Sequence, residues 1–93
     1  QAQLLLQEVA LQDLLAVGTP PVISVLRTLS RPRRANLLRY WLKAHHKVAP
    51  SSAQLHELLD QIEACSTRGH RIYLKVATGF VRREGARIDW YNP

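Results

Sequence analysis

The apolar residues of this chain change their period once, near Gly69. Ahead of that point they recur at helical spacing, and behind it they alternate. Leu4, Leu5, Val9, Leu11, Leu14 and Leu15 mark one helix over residues 2–17. Leu37, Leu38, Trp41 and Leu42 mark a second, running from Arg31 to His46. Leu55, Leu58, Leu59 and Ile62 mark a third. Beyond Gly69, Ile72, Leu74 and Val76 alternate with Arg71, Tyr73 and Lys75, and Ile88 and Trp90 alternate with Arg87, Asp89 and Tyr91. Phe80-Val81-Arg82-Arg83 lies between them as a short middle strand. Helices first and strands last make an α+β chain. The simplest assembly is an N-terminal helix, a helical hairpin and a three-stranded antiparallel β-meander. One face of the meander packs on the helices and the other is wet.

The punctuation agrees. Gly18 stops the first helix, and Pro20-Pro21 prevent its continuation. Ser30 is an N-cap, followed by Pro32 in the first turn, where a missing N–H costs nothing. Val48-Ala49-Pro50 breaks that helix. Ser51 opens the next one with Gln54 three residues on, a capping box. Ser66-Thr67-Arg68-Gly69 closes it, and Ala77-Thr78-Gly79 and Glu84-Gly85 are turns. The short β-branched stretch from Val22 to Leu26 reads equally as a strand, an extended connector or one helical turn. Ile72, Leu74, Val76, Ile88 and Trp90 are expected to meet the apolar stripes of the second and third helices, with Trp41 facing the core.

At 93 residues and 46% hydrophobic content, the chain is one small domain with a packed core. At this size folding buries roughly 60–65% of the surface, so stability alone is marginal. No apolar run approaches the roughly 18–20 residues of a membrane span, and we expect no membrane partner. No positively charged start leads into an apolar stretch and a cleavage site, and we expect no signal peptide. Cys65 is the single cysteine, so there is no internal disulfide. The chain opens without Met and in mid-helix pattern, and we expect an excised domain of a longer cytoplasmic protein.

The net charge of +6 is unevenly spread. Residues 1–26 hold Glu8 and Asp13 and no Lys or Arg. From Arg27 to Lys47 there are seven basic residues and no acid. Such a field favours polyanions, and its bland alternative is a solvated face that keeps the protein soluble. At 100° per residue, Arg33, Arg39, Lys43 and Lys47 share the outer face of the second helix, beside Asn36 and Tyr40. Arg34 stands at its start. The wet sheet face would carry Arg71, Tyr73, Lys75, Arg87 and Tyr91. Cations interleaved with rings suit RNA, whose phosphates and splayed bases they meet. The alternative for Tyr73 and Tyr91 is that they are ordinary cross-strand partners covering the sheet. The RNA-binding candidates are therefore Arg33, Arg34, Arg39 and Lys43 on the helix, with Arg71, Lys75, Arg82 and Arg83 on the sheet.

Catalytic constellations are missing. The four glycines sit at element boundaries and form no phosphate-cradling loop. His45, His46, His56 and His70 with one cysteine match no zinc spacing. Cys65 is read as a buried helix-end thiol. Glu57, Asp60 and Glu63 are read as the solvated side of the third helix. A helix-turn-helix fits poorly, because the basic helix comes first and an acidic one follows.

The run Leu29-Ser30-Arg31-Pro32-Arg33-Arg34-Ala35-Asn36-Leu37-Leu38-Arg39-Tyr40-Trp41-Leu42 resembles the opening of the substrate-binding domain of bacterial tRNA(Ile)-lysidine synthetases. Pro50-Ser51 leads into the next helix as in that family. The segments Tyr73-Leu74-Lys75-Val76, Phe80-Val81-Arg82-Arg83 and Ile88-Asp89-Trp90-Tyr91 resemble its β segment. The resemblance spans residues 22–92. It implies a parent enzyme that uses ATP to adenylate the wobble cytidine of an isoleucine tRNA and then attaches lysine. The Ser-Gly-Gly-x-Asp-Ser loop that handles ATP has no counterpart here, so the piece is implied to be non-catalytic and without a cofactor of its own. Residues 1–20 would be a linking helix from a preceding catalytic domain, and residues 21–93 the tRNA substrate-binding domain. The alternative is a structural spacer between catalytic parts, with an incidental basic surface.

Overall fold

Two of the helices start where a serine side chain satisfies a free amide of the first turn. In the computed structural model, which describes residues 2–65 and 71–93 with side chains from Leu5 onward, Ser30 accepts from the Arg33 amide and opens α3 (Arg31–His46). Ser51 and Gln54 form the reciprocal capping box that opens α4 (Ser52–Ala64). Ahead of these lie α1 (Ala2–Val17) and a single turn, α2 (Ile23–Leu26). Lys47 ends α3 in the left-handed region at φ 60°, its amide bonding back to Leu42 and Lys43. The proposed stop at Ser66–Gly69 lies outside the described residues, and Cys65 caps α4.

The strands β1 (Tyr73–Val76), β2 (Gly79–Glu84) and β3 (Arg87–Tyr91) form the expected antiparallel meander in the order β1-β2-β3. Leu74, Val81 and Trp90 share one row across it, and Lys75, Phe80 and Tyr91 the next. Gly79 is required by closeness: a Cβ there would stand 2.2 Å from the Tyr91 carbonyl oxygen and 2.5 Å from the Trp90 ring.

Trp41, Leu37, Leu38 and Leu42 from α3, Leu55, Leu58, Leu59 and Ile62 from α4, and Ile72, Val76, Val81 and Ile88 from the sheet segment are all buried in one core. Two expected members, Leu74 and Trp90, are only half-buried. Val81, which alternation along a four-residue stretch did not assign to a face, is fully buried. Basic α3 and acidic α4 are tied by Arg31, which pairs with Asp60 at 3.0 Å and with Glu63 at 2.8 Å.

The segment between α1 and α3 combines two of the three readings left open for it. Val22 bridges Arg87 in antiparallel fashion, and the chain then turns into α2. The Ile23 amide donates to the Ala86 carbonyl at 2.9 Å, and the Ile88 amide donates to the Pro21 carbonyl at 3.0 Å. On the opposite edge of the sheet, the Gln61 side-chain amide imitates a peptide. Its Oε1 accepts from the Tyr73 amide at 3.0 Å, and its Nε2 donates to the Tyr73 carbonyl at 3.3 Å.

α1 lies along α3 and contributes Ala10, Leu14 and Val17 to the buried interior. Its other side leaves Leu5, Leu11 and Leu15 exposed, and Leu6 near its start is exposed as well.

Candidate nucleic-acid interface

The basic run on α3 splits into inward and outward members once the fold is formed. Residues 34, 37, 38 and 41 are spaced i, i+3, i+4, i+7, so Arg34 belongs to the buried stripe. It is 6% exposed. Its Nε donates to the Leu26 carbonyl at 3.0 Å, and Nη2 donates to the Leu29 carbonyl at 2.9 Å and the Arg27 carbonyl at 3.4 Å. Nη1 reaches Glu63 at 3.2 Å. Arg34 thus ties off the carbonyls between α2 and α3, and the structure places it in the buried stripe rather than on the outer face of α3. A planar fork of donors is the chemistry that several converging carbonyls require.

Arg33 is also engaged. Asp13 is the buried carboxylate of α1, and Arg33 Nε donates to it at 3.2 Å within a two-pronged ion pair. Hydrogen bonding and charge from Asp13 raise the pKa of the Arg33 guanidinium, which is already always charged. This pair docks α1 on α3, together with Asn36, whose amide donates to the Leu6 carbonyl at 2.8 Å.

What remains on the outer face is Arg39, Lys43 and Lys47. All three are exposed, and among the described residues none has a carboxylate within 4.0 Å. They line a groove between α1 and α3. Its upper part, of about 490 Å³, is bounded by Leu6, Gln7, Ala10, Asn36, Arg39, Tyr40 and Lys43. Its lower part, of about 600 Å³, is bounded by Gln7, Tyr40, Lys43, Ala44, Lys47, Val48 and Ala49. A groove with cations spaced along one wall and a tyrosine in its floor suits a phosphate backbone, where each cation displaces condensed counterions.

The sheet candidates differ among themselves. Arg71 and Lys75 are exposed, with no carboxylate within 4.0 Å among the described residues. Arg82 pairs with Glu84 at 2.9 Å and lies 4.4 Å over the Tyr91 ring. Arg83 lies on the inner side of the sheet, in line with Val81, with Nη1 3.5 Å from Cys65 Sγ and Nε donating to the Gly85 carbonyl. Arg87, expected on the wet face, donates from Nη1 to the Pro20 carbonyl at 2.6 Å and so clamps the connector.

Among the described residues no group of three His, Cys, Asp or Glu side chains converges on a metal-sized site. No described helix is long and apolar enough to cross a membrane.

A family model described as the TilS substrate binding domain matches residues 22–88. The chain is similar to a tRNA(Ile)-lysidine synthase of Polaromonas naphthalenivorans (strain CJ2), 57% identical over 88 residues. That alignment covers 95% of this chain and 26% of the relative, so the chain spans about a quarter of the curated protein it matches. No solved structure matches.

Proposed function

Because the chain belongs to the TilS substrate-binding domain family, we propose that it holds and positions the tRNA for a tRNA-modifying ligase whose catalytic parts lie elsewhere. The relative's name supports the finer reading. The substrate is an isoleucine tRNA with a wobble cytidine. Lysine is joined to that base at the expense of ATP, in a cytoplasmic enzyme. The ATP and the chemistry belong to the parent enzyme, and this domain contributes binding energy and orientation. Residues 1–20 serve as the link from the preceding catalytic domain.

The observation that carries this reading is the acid-free groove wall of Arg39, Lys43 and Lys47. Three phosphate contacts, at about 0.7–0.9 each, give a slope of log K against log salt of around −2 to −3. Reversing Arg39 and Lys43 together to Glu should weaken tRNA binding and flatten that slope by about 1.5. The melting temperature should stay nearly constant, because exposed charges contribute little to folding. Unchanged affinity at moderate salt would defeat the assignment of the groove. It would favour the spacer reading, for which the exposed leucines of α1 speak: Leu5 is 63% and Leu15 77% exposed, an apolar surface suited to another part of an enzyme.

A further inference from the structure

Three rings that the core does not use stand together on the outer face of the sheet: Tyr73 of β1, Phe80 of β2 and Tyr91 of β3. Tyr73 and Phe80 stack, with centroids 5.1 Å apart and planes 18° apart. Phe80 and Tyr91 follow at 5.9 Å and 31°. Arg82 closes the row, its Cζ 4.4 Å from the Tyr91 centroid. Tyr73 is paired across the strands with Arg82 and its hydroxyl interacts with that of Tyr91, yet it remains 50% exposed.

A ring left half in water is a poor use of an aromatic side chain for folding, since only its covered part leaves solvent. Its bare face is nonetheless a surface on which any nucleobase can stack, because every base has a π-face. The surroundings are selective for a nucleic acid. Lys75 shares its row with Phe80 and Tyr91 on the same face, and Arg71 lies two residues before Tyr73; both are exposed. The carboxylates of this face are engaged. Glu84 is neutralised by Arg82, and Asp89 accepts from the Trp90 amide at 2.8 Å and lies 3.6 Å from His46 Nε2. Cations beside an open ring offer one phosphate contact and one base contact at neighbouring positions. Only an unpaired nucleotide can use both, since a base within a duplex keeps its faces stacked.

We propose that the outer face of the sheet is a stacking site for an unpaired nucleobase of the bound RNA, with Tyr73 as the stacking ring and Lys75 and Arg71 on the flanking phosphates. The proposal rests on the RNA-binding reading above but uses a different surface from the α1–α3 groove. It gives that reading a preference for single-stranded segments, which the groove alone does not supply.

The test compares Tyr73→Leu and Tyr73→Phe with the unaltered protein and with the Arg39→Glu/Lys43→Glu variant. Affinities for a single-stranded oligouridylate and for an RNA duplex are read by fluorescence anisotropy, with the thermal midpoint of each variant measured alongside. Tyr73→Leu keeps apolar bulk and removes the π-face, so oligouridylate binding should weaken about tenfold. Duplex binding and the thermal midpoint should hold. Tyr73→Phe should bind both as the unaltered protein does. If Tyr73→Leu binds the oligouridylate normally while the groove variant loses duplex binding, the stacking site is refuted and the RNA reading stands. If the unaltered protein binds neither RNA, both fall. Loss of oligouridylate binding in Tyr73→Phe as well would also refute stacking, since the ring is retained.

Discussion

Replacing Arg34 by Met separates the structural from the RNA-facing members of one basic run. Met keeps the apolar stem in the buried stripe and removes every guanidinium donor. The Leu26 carbonyl retains a partner, because the Leu29 amide also donates to it at 3.1 Å. The Leu29 carbonyl loses its bond at 2.9 Å, and the Glu63 carboxylate loses one of two arginines but remains half in water and held by Arg31. The Arg27 bond at 3.4 Å is long, and Arg27 is exposed enough for water to replace it. The Leu29 bond therefore counts in full and the other three in part. At about 1–2 kcal/mol each for charge-assisted bonds partly open to solvent, the loss is about 2–4 kcal/mol. For a domain of this length that lowers the melting temperature by about 10–25 °C. Thermal unfolding followed by circular dichroism measures it. Arg39→Met is the matched control, an exposed position where the change should stay within about 0.5 kcal/mol. The two variants should also diverge in tRNA binding below the melting temperature, with Arg39→Met weakened and Arg34→Met retained. An Arg34→Met protein that melts like the unaltered one but binds tRNA poorly would refute the argument and return Arg34 to the RNA surface.

Trp41 is fully buried, and Trp41→Ala should cost about 3–5 kcal/mol in urea unfolding; an unchanged midpoint would disprove the core. His46 lies between the rings of Trp41 and Trp90, each centroid 5.2 Å away. Burial lowers its pKa below 6.5, Asp89 opposes this and His45 adds to it. The unfolded chain therefore binds the proton more readily than the folded one. His46 contributes stability that is present above pH 6.5 and is lost as pH falls through that value. His46→Gln should flatten the stability profile of the unaltered protein between about pH 5 and 7. A profile of identical slope in both proteins would show that the ring environment is not as described.

The features legible in the sequence are those decided locally. Ser30, Pro32, Ser51 and Gln54 act within one turn of themselves, so the starts of α3 and α4 could be placed to the residue. The roles of Arg33 and Arg34 are decided by what faces them. Arg33 falls on the outer side of the helical wheel, and only the packing of α1 brings Asp13 to it. Arg34 carried a readable signal, its spacing from Leu37, Leu38 and Trp41, but a positive charge in an apolar stripe is explained only once the carbonyls of residues 26–29 converge on it. Asp13 had the matching signal between Ala10, Leu14 and Val17. In the sheet, alternation placed Ile72, Val76 and Ile88 correctly because polar neighbours flank each of them, whereas Phe80 and Val81 are adjacent apolar residues followed by two arginines and show no period. The face of Val81 follows from its register with Leu74 and Trp90, which depends on the length of the Ala77-Thr78 loop. The roles of Lys47 and Tyr40 in one groove follow from α1 lying beside α3.

The side-chain amide of Gln61 has a consequence for how copies of this protein behave toward each other. A three-stranded sheet is short enough that each of its margins offers hydrogen-bonding groups to any passing extended chain, a template for self-association. On the β1 side the Tyr73 groups are already taken by Gln61, and Lys75, the next outward position, adds a charge that a fourth strand would have to desolvate. On the β3 side the Ile88 amide is spent on the Pro21 carbonyl, and the Trp90 amide on the Asp89 carboxylate. The meander is therefore terminated at both margins by groups that are not strands. A protein that must stay dispersed while presenting a basic, partly aromatic surface gains from this. Gln61→Leu would leave the fold's core untouched yet reopen one margin, so its first symptom would be concentration-dependent association rather than early melting.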